Sequence, residues 1–145
     1  MNTIFITGAS SGIGKATAKL FAEKGWTVIA TMRSPEKETE LTKYENIKIY
    51  PLDLTKPEQI TDTVFAVLEL YDVDVLFNNA GYGIKSCFED MTEELMWKSV
   101  NTNILGMVRV TQKFIPHFKK AGRHNPYHHF SGWRDGINPG RHLCR

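Results

Sequence analysis

Residues 3 to 25 read "TIFITGASSGIGKATAKLFAEKG", and this stretch decides the fold. Its first five residues are β-branched or aromatic and have the length of a strand. A glycine-rich turn follows. The next apolar residues include helical spacings and are Ile13, Ala16, Ala18, Leu20, Phe21 and Ala22. Because Gly25 suits a C-terminal cap, the stretch predicts a strand, a turn and a complete helix.

The same alternation continues along the chain. Apolar runs of strand length recur at residues 27 to 32, 47 to 50 and 73 to 78. Between the last two runs we expect a helix with Thr55 as its N-cap and Pro57 in its first turn. Its apolar stripe is Ile60, Val64, Val67 and Leu68. Strands that alternate with helices predict parallel strands with right-handed crossovers, so the architecture is an open α/β sheet.

A third helical segment follows the fourth strand. Thr92 is expected to cap it, since Glu93 and Glu94 suit the positive end of a helix dipole. The run "NILGMVRVTQKFIPHFKK" then predicts a long helix from residue 103 to about residue 120,.

Length and composition fit one globular domain. The chain has 145 residues, 41% of them hydrophobic and 23% charged, which suffices for one core,. A net charge of +2 without a basic run predicts no nucleic-acid partner,. No leader and no apolar run near roughly 18 residues is visible, which predicts no membrane span. Two cysteines, Cys87 and Cys144, fit a reducing compartment, and we expect a cytoplasmic location,.

The turn "TGASSGIG" occupies residues 7 to 14, between the first strand and the first helix. Its glycines permit a sharp turn and close approach of a phosphate, toward which the helix N-terminus directs its N–H groups. The pattern predicts a pyrophosphate cradle at the carboxyl edge of the sheet, with a purely structural turn as the alternative. A mononucleotide P-loop is excluded because Ala9 and Ala16 replace its glycine and hydroxyl residue. Lys15 is then an exposed first-turn lysine.

Three motifs carry a resemblance to a known family. They are "TGASSGIG" at 7 to 14, "NNAG" at 78 to 81 and "NILG" at 103 to 106. In order and spacing the chain resembles the short-chain dehydrogenase/reductase family over residues 2 to about 122. The resemblance implies the N-terminal part of a Rossmann-type, doubly wound parallel sheet, with strand order 3-2-1-4 and the fifth strand garbled or absent. Residues 1–122 would form this NAD(P)-binding domain, and residues 123–145 a tail foreign to the family.

The resemblance also implies hydride transfer between a nicotinamide and an alcohol or carbonyl. The cofactor-binding residues that it implies are Gly8, Ser10, Ser11, Gly12, Ile13, Gly14, Asp53, Leu54, Asn79, Ala80 and Gly81. Arg33 follows the second strand, where NAD users often carry an acid. A guanidinium can pair with a ribose 2′-phosphate, so NADP(H) is favoured over NAD(H); the alternative is a solvated loop charge. Asp53 has the alternative of a helix-entry turn residue.

Two asparagines complete the implied site. Asn103 matches the family's catalytic asparagine, and its cost in helix propensity favours a specific role. Asn78 would join the strand ends. The family's serine, tyrosine and lysine should follow the long helix, but Tyr127 has Ser131 four positions later instead of a lysine. The pair Tyr44 to Lys48 precedes Asn103 and is interpreted as accidental.

The tail "RHNPYHHFSGWRDGINPGRHLCR" at residues 123 to 145 allows three interpretations. Four histidines and Cys144 suggest a metal site, yet no helix aligns them and no Cys-x-x-Cys occurs, so no metal is predicted. A disordered basic tail also fits the composition. A frameshift is the third hypothesis, because a shift of one nucleotide can read "GTIPIIISAVGGMASTQGGIYV", which is a strand followed by a serine and a tyrosine. The DNA sequence tests it.

Two functions remain. The first is an NADP(H)-dependent oxidoreductase whose chain keeps the dinucleotide-binding half and lacks turnover. The second is a non-enzymatic nucleotide-binding or regulatory module with a disordered His-rich tail. Tyr82, Ile84 and Phe88 after "NNAG" suggest an apolar alcohol or ketone as substrate. The open face of the helix at 103–120 predicts a homo-oligomer.

Overall fold

The computed structural model describes residues 2 to 84 and 87 to 122, apart from the side chain of Phe88. Four strands and four helices make up this part of the chain. The strands are β1 (Thr3–Thr7), β2 (Thr27–Met32), β3 (Ile47–Pro51) and β4 (Val75–Phe77), and the helices are α1 (Gly12–Glu23), α2 (Pro57–Leu70), α3 (Glu93–Val100) and α4 (Met107–Lys120). A π-helical segment, Asn101–Gly106, joins α3 to α4.

The four strands form one parallel sheet in the order β3-β2-β1-β4. Ile4 of β1 stands beside Val28 of β2 and Val75 of β4, and Val28 stands beside Ile47 of β3. Parallel neighbours need crossover connections, which here run over the faces of the sheet. The predicted Rossmann-type sheet and its strand order are confirmed.

Helices cover both faces of the sheet. On one face α2 and α4 pack over Phe5 and Ile29, and the rings of Phe5 and Phe114 lie 4.9 Å apart, edge to face. On the other face α1 buries Ala18 and Ala22 against the strands. Because these alanines are small, α1 lies close to the sheet, and its first turn is fixed at the carboxyl ends of β1 and β2. The fold is therefore doubly wound.

Two predicted boundaries are wrong. Thr55 does not cap α2; the N-cap residue is Lys56. Thr55 instead donates its N–H and its hydroxyl to the carboxylate of Asp53, at 3.0 and 2.7 Å. The fourth strand is shorter than predicted, Val75–Phe77, since β1 is its only neighbour in the described part of the chain.

The helical segment predicted after Thr92 and the long helix predicted from residue 103 form one continuous helical stretch. Helical structure starts at Glu93 and passes through the π-helical segment to Lys120. Thr92 is its N-cap, as predicted, and its Oγ1 accepts the N–H of Leu95 at 3.3 Å. Across the π-helical segment, Nη1 of Arg109 donates to Oδ1 of Asn101 at 2.7 Å. The motif "NILG" at 103 to 106 thus lies in the one wide turn of this helix.

Candidate functional site

A cleft opens where the four strands end. Its volume is about 490 Å³, which lies within the range of small-molecule sites. It is lined by the turn after β1, the ends of β2 and β3, the segment after β4, the end of α3 and the start of the π-helical segment. The carboxyl edge of a parallel sheet is where such folds bind ligands.

The glycine turn leaves an open concave surface. Gly12 has a φ of +55°, which side-chain-bearing residues rarely adopt, and a Cβ there would meet no atom within 4 Å,. Ser11 is the N-cap of α1 but makes no side-chain capping bond, and the first turn of α1 holds no acidic residue. The N–H groups and the positive dipole end of α1 therefore face the cleft without a competing carboxylate.

The turn is packed directly against the segment after β4. Gly8 has a φ of +69°, and a Cβ there would lie 2.7 Å from Cα of Ala80. A Cβ at Gly14 would collide with the side-chain amide of Asn79 and with the carbonyl oxygen of Gly8. Gly14 therefore lies behind the turn, where it allows close packing, and not on the surface of the cleft.

Hydrogen bonds from Thr7 and Asn79 lock these two segments together. Oγ1 of the buried Thr7 accepts the N–H groups of Asn79 and Ala80, both at 3.0 Å. Nδ2 of Asn79 donates to the carbonyl oxygens of Thr7 at 3.1 Å and Gly8 at 3.0 Å. The turn after β1 and the segment after β4 consequently form a single unit.

Asn103, in the π-helical segment, bonds to the chain after β4. Its Oδ1 accepts the N–H of Tyr82 at 3.0 Å, and its Nδ2 donates to the carbonyl oxygen of Tyr82 at 2.9 Å. Nδ2 also donates to Oγ of Ser99 at 3.1 Å. The side chain therefore ties the π-helical segment to the chain after β4. Asn103 does not line the cleft itself, and its catalytic role stays a prediction.

The side chain of Asn78 contacts a helix, and its expected role in joining the strand ends stays a prediction. Its Nδ2 donates to Oγ1 of Thr111 at 3.0 Å, which joins the end of β4 to α4. Thr7 joins the ends of β1 and β4. Its hydroxyl oxygen accepts the N–H of Asn79, and its carbonyl oxygen accepts the side-chain amide of Asn79.

Charged side chains stand at the ends of β2 and β3. Arg33 is exposed and lines the cleft directly after β2. Burial raises the pKa of Asp53, but the hydrogen bonds from Thr55, followed by the charges of Lys56 and Arg33, lower it more, so that the pKa lies below its usual value. Asp53 is therefore an ionised acceptor at neutral pH beside a cationic residue.

Lys15 does not face the cleft. Its Nζ lies 3.1 Å from Oε2 of Glu38 and 3.2 Å from Oε1 of Glu40. Lys19 pairs with Glu40 as well. The hydrogen bonds that Lys15 donates to Glu38 and then to Glu40, against the effect of burial, raise the pKa of Lys15 above its usual value. These contacts support the interpretation that Lys15 is not a phosphate ligand.

The structure brings together most of the residues that the sequence singled out. Those lining the cleft are Gly8, Ser10, Ser11, Gly12, Ile13, Arg33, Asp53, Leu54, Asn79, Ala80 and Gly81. Gly14 and Asn103 support it from behind. Tyr44 and Lys48 bond elsewhere, to Glu23 and to the carbonyl oxygen of Glu45. Tyr127, Ser131, the tail histidines and Cys144 lie outside the described residues.

Sequence reasoning did not place seven residues of the cleft among the cofactor-binding residues. They are Thr7, Met32, Leu52, Thr55, Tyr82, Lys98 and Thr102. Met32 ends the apolar run at 27 to 32 and was predicted only as a strand residue, whereas Leu52 follows the run at 47 to 50 and was assigned no role. Lys98 and Thr102 lie four positions apart, one helical turn, just before Asn103. Because Thr92 was predicted to cap a helical segment, the sequence allowed both residues to be placed on one helical face.

The cleft fits a dinucleotide. The open surface at Gly12 and the N-terminus of α1 suit a pyrophosphate, and Arg33 and Asp53 offer a cation and an acceptor at the adjacent strand ends,. Among residues 2 to 84 and 87 to 122, no group of three His, Cys, Asp or Glu side chains could hold a metal ion. No helix in that part of the chain is long and apolar enough to span a membrane. A doubly wound parallel sheet with this cleft defines the Rossmann class of α/β proteins.

Comparison with known proteins narrows the class to one family. The model of the family described as short chain dehydrogenase matches residues 2 to 125, and the chain belongs to this family. The chain is 40% identical over 121 residues to the 3-oxoacyl-(acyl-carrier-protein) reductase FabG of Thermotoga maritima. This match covers 79% of this chain and 49% of that protein. The chain spans about half the length of the curated relatives it matches.

Solved structures agree with this assignment. A short-chain dehydrogenase from Streptomyces avermitilis is similar with a TM-score of 0.79 and 35% identity, over 83% of this chain and 46% of that one. An alcohol dehydrogenase from Thermococcus sibiricus, complexed with 5-hydroxy-NADP, has a TM-score of 0.76 and 33% identity, over 84% of this chain and 55% of that one. The resemblance found in the three sequence motifs is confirmed.

Proposed function

We propose that this chain binds NADP(H) in the cleft, as the dinucleotide-binding half of an oxidoreductase that interconverts an alcohol and a carbonyl. The observation that carries the proposal is the unit formed by the glycine turn and the segment after β4, with Arg33 at its edge. The bound nicotinamide would supply or accept the hydride. Membership of the dehydrogenase family and the NADP analogue in the Thermococcus sibiricus structure support this choice.

Different residues of the cleft bind different parts of the cofactor. The N–H groups around Gly12 and the first turn of α1 hold the pyrophosphate. Arg33 pairs with the ribose 2′-phosphate, which favours NADP(H) over NAD(H) because an unpaired guanidinium gains less from a hydroxyl than from a dianion. Asp53 and Leu54 contact the adenine, and Ala80 lies across from them. Gly81 and Asn79 line the adenosine and ribose side.

We propose binding without turnover for these 145 residues. They contain no Tyr-x-x-x-Lys pair after the long helix, and a tyrosine with a nearby lysine is what the family resemblance implies for proton transfer to the substrate oxygen. The substrate class is a small apolar alcohol or ketone, as Tyr82 and Ile84 suggest. A cytoplasmic location stays part of the proposal. The alternative, a regulatory nucleotide-binding module, differs in its tail, which the structure does not describe.

Calorimetric titration of the chain with NADPH and NADH tests the proposal. We expect NADPH to bind at least about tenfold more tightly, and Arg33→Met to remove that preference while NADH binding is unchanged. Lys24→Met, at the far end of α1, is the control and should behave like the wild type. Equal affinities of the wild type for the two cofactors would refute the NADP(H) preference, and measurable turnover would refute the second part of the proposal.

A further inference from the structure

Lys98 and Thr102 line the cleft from its helical side. Lys98 lies in the last turn of α3 and Thr102 in the π-helical segment. Four residues apart, they share one helical face. Neither belongs to the glycine turn or to a strand end, so they form a separate wall of the cleft.

Two contacts fix the position of this wall. Asn103, next to Thr102, is bonded to the backbone of Tyr82 on both its N–H and its carbonyl oxygen. A Cβ at Gly106 would lie 2.6 Å from Cβ of Leu54, so the helix backbone is in direct contact with the residue that ends the β3 side of the cleft. The wall therefore stands beside Leu54 and Tyr82.

The charge of Lys98 is available for a ligand. In the described part of the chain, no ion pair and no hydrogen bond involves its ammonium group. Lys15 and Lys19, in contrast, are engaged with Glu38 and Glu40. An ammonium group can donate three hydrogen bonds, so Lys98 brings unused donors to the cleft.

We propose that Lys98 binds the adenine end of the dinucleotide. Its ammonium donates to a ring nitrogen of the base, which sits between Leu54 and Ala80, and Thr102 bounds the same edge of the base. Purine ring nitrogens accept hydrogen bonds at the edge of the base, so an ammonium donor there favours binding. The inference rests on the proposed function and adds a binding residue to it.

Direct binding measurements test this role. Calorimetry is run with NADPH and with adenosine 2′,5′-bisphosphate, which keeps the base and lacks the nicotinamide. Lys98→Met should weaken both ligands roughly tenfold, the effect of one charged hydrogen bond. Lys98→Arg keeps a donor and should recover most of the loss. Lys113→Met, on the exposed surface of α4 away from the cleft, is the matched control and should leave both affinities unchanged.

Salt separates a local contact from long-range attraction. A hydrogen bond to the base predicts that the loss in Lys98→Met persists between about 50 and about 500 mM salt, because screening acts mainly on distant charges. A loss that vanishes at high salt, or unchanged affinity at any salt, would overturn the role of Lys98. Failure of the wild type to bind either ligand would instead overturn the proposed function. Equal melting temperatures of wild type and Lys98→Met show that folding is not the cause.

Discussion

At the scale of single residues, the hydroxyl of Thr7 joins the end of β1 to the segment after β4. It accepts two backbone N–H groups, from Asn79 and Ala80, and is itself buried. Thr7→Val keeps the shape of the side chain and removes the acceptor, so both N–H groups lose their partner. We expect the free energy of unfolding to fall by about 1–3 kcal/mol and NADPH affinity to fall with it.

Urea unfolding and NADPH titration measure the two effects of Thr7→Val. Thr7→Ser is the control, because it retains the hydroxyl and should lie much closer to the wild type. A Thr7→Val variant as stable as the wild type would contradict the role of this hydroxyl in joining the segments.

Glu38 gives the fold a dependence on acid pH. Its carboxylate accepts the N–H groups of Glu40 at 2.8 Å and Leu41 at 3.0 Å and pairs with Lys15 at 3.1 Å. Burial raises the pKa of Glu38, but these partners together lower it below the usual value near 4.5. A carboxyl whose pKa is lowered by folding stabilises the protein above its unfolded pKa, and this contribution is lost as the pH falls through the folded value.

Thermal unfolding at a series of pH values tests the role of Glu38. Wild-type stability should drop as the pH falls below about 4.5, and Glu38→Gln should be about 1–3 kcal/mol less stable at pH 7 with a shallower drop. Glu45→Gln, an exposed carboxylate on the same connection, is the control. An equally steep acid transition in Glu38→Gln would show that other carboxyl groups, Asp53 among them, cause it.

Side-chain roles were predictable where a short motif determines backbone shape. Gly8, Gly12 and the run from Asn79 to Gly81 could be placed in the cleft because glycine turns and strand ends are local features. Thr7 and Lys98 could not, since a threonine ending a strand and a lysine in a helix acquire a role only through contacts made by distant segments.

At the scale of elements, the helix from Glu93 to Lys120 is shaped by its contacts with two loops. Its π-helical segment lies where Asn103 bonds to Tyr82 and Gly106 touches Leu54. Nothing in the local sequence marks a wide turn there. The tertiary contacts explain why the sequence predicted the helix and its N-cap at Thr92 but not its irregular segment.

Gly106→Ala tests the contact between this helix and the β3 side of the cleft. A new Cβ would lie 2.6 Å from Cβ of Leu54 and 2.9 Å from its carbonyl oxygen, so Leu54 must shift. We expect a loss of about 1–3 kcal/mol in the free energy of unfolding and weaker NADPH binding. Gly83→Ala is the matched control, since a Cβ there meets nothing within 4 Å. Equal effects of the two substitutions would contradict the account.

Turn chemistry explains the failed prediction at Thr55. The sequence pattern there suits an N-cap, but a carboxylate two residues earlier accepts both the N–H and the hydroxyl of Thr55. Asp53 therefore organises the turn, and α2 begins one residue later than its predicted cap implies. The alternation of strands and helices was unaffected, because it depends on apolar spacing and not on the caps.

At the scale of the whole molecule, one helix presents an apolar stripe to the surface. Trp97, Ile104 and Val108 are 60%, 52% and 39% exposed along one continuous helical stretch, and Ile104 and Val108 lie four positions apart on one side of it,. We propose that a second copy of the chain covers this stripe. Ile104→Lys should shift sedimentation towards monomer, while Leu20→Lys on α1 should not. A wild type that stays monomeric at high concentration would contradict the proposal.

The topology of the described part was predictable in full from periodicity and the three motifs. Residues 123 to 145 lie outside it, so the frameshift hypothesis remains one that only the DNA sequence tests. The order β3-β2-β1-β4 brings four strand ends, the start of α1 and the end of α3 to a single edge, and this arrangement joins residues far apart in the chain into one cleft.

Amide chemical-shift mapping during an NADPH titration tests the central claim most directly, because it reports where the ligand binds. We predict saturable shifts at residues 8 to 13, at Arg33 and Asp53, and at residues 79 to 82, with those of Lys98 and Thr102 among the next largest. The groove between α2 and α4 near His117 should be unaffected. Absence of saturable shifts, or shifts confined to that groove, would contradict the assignment of the cleft as a dinucleotide site.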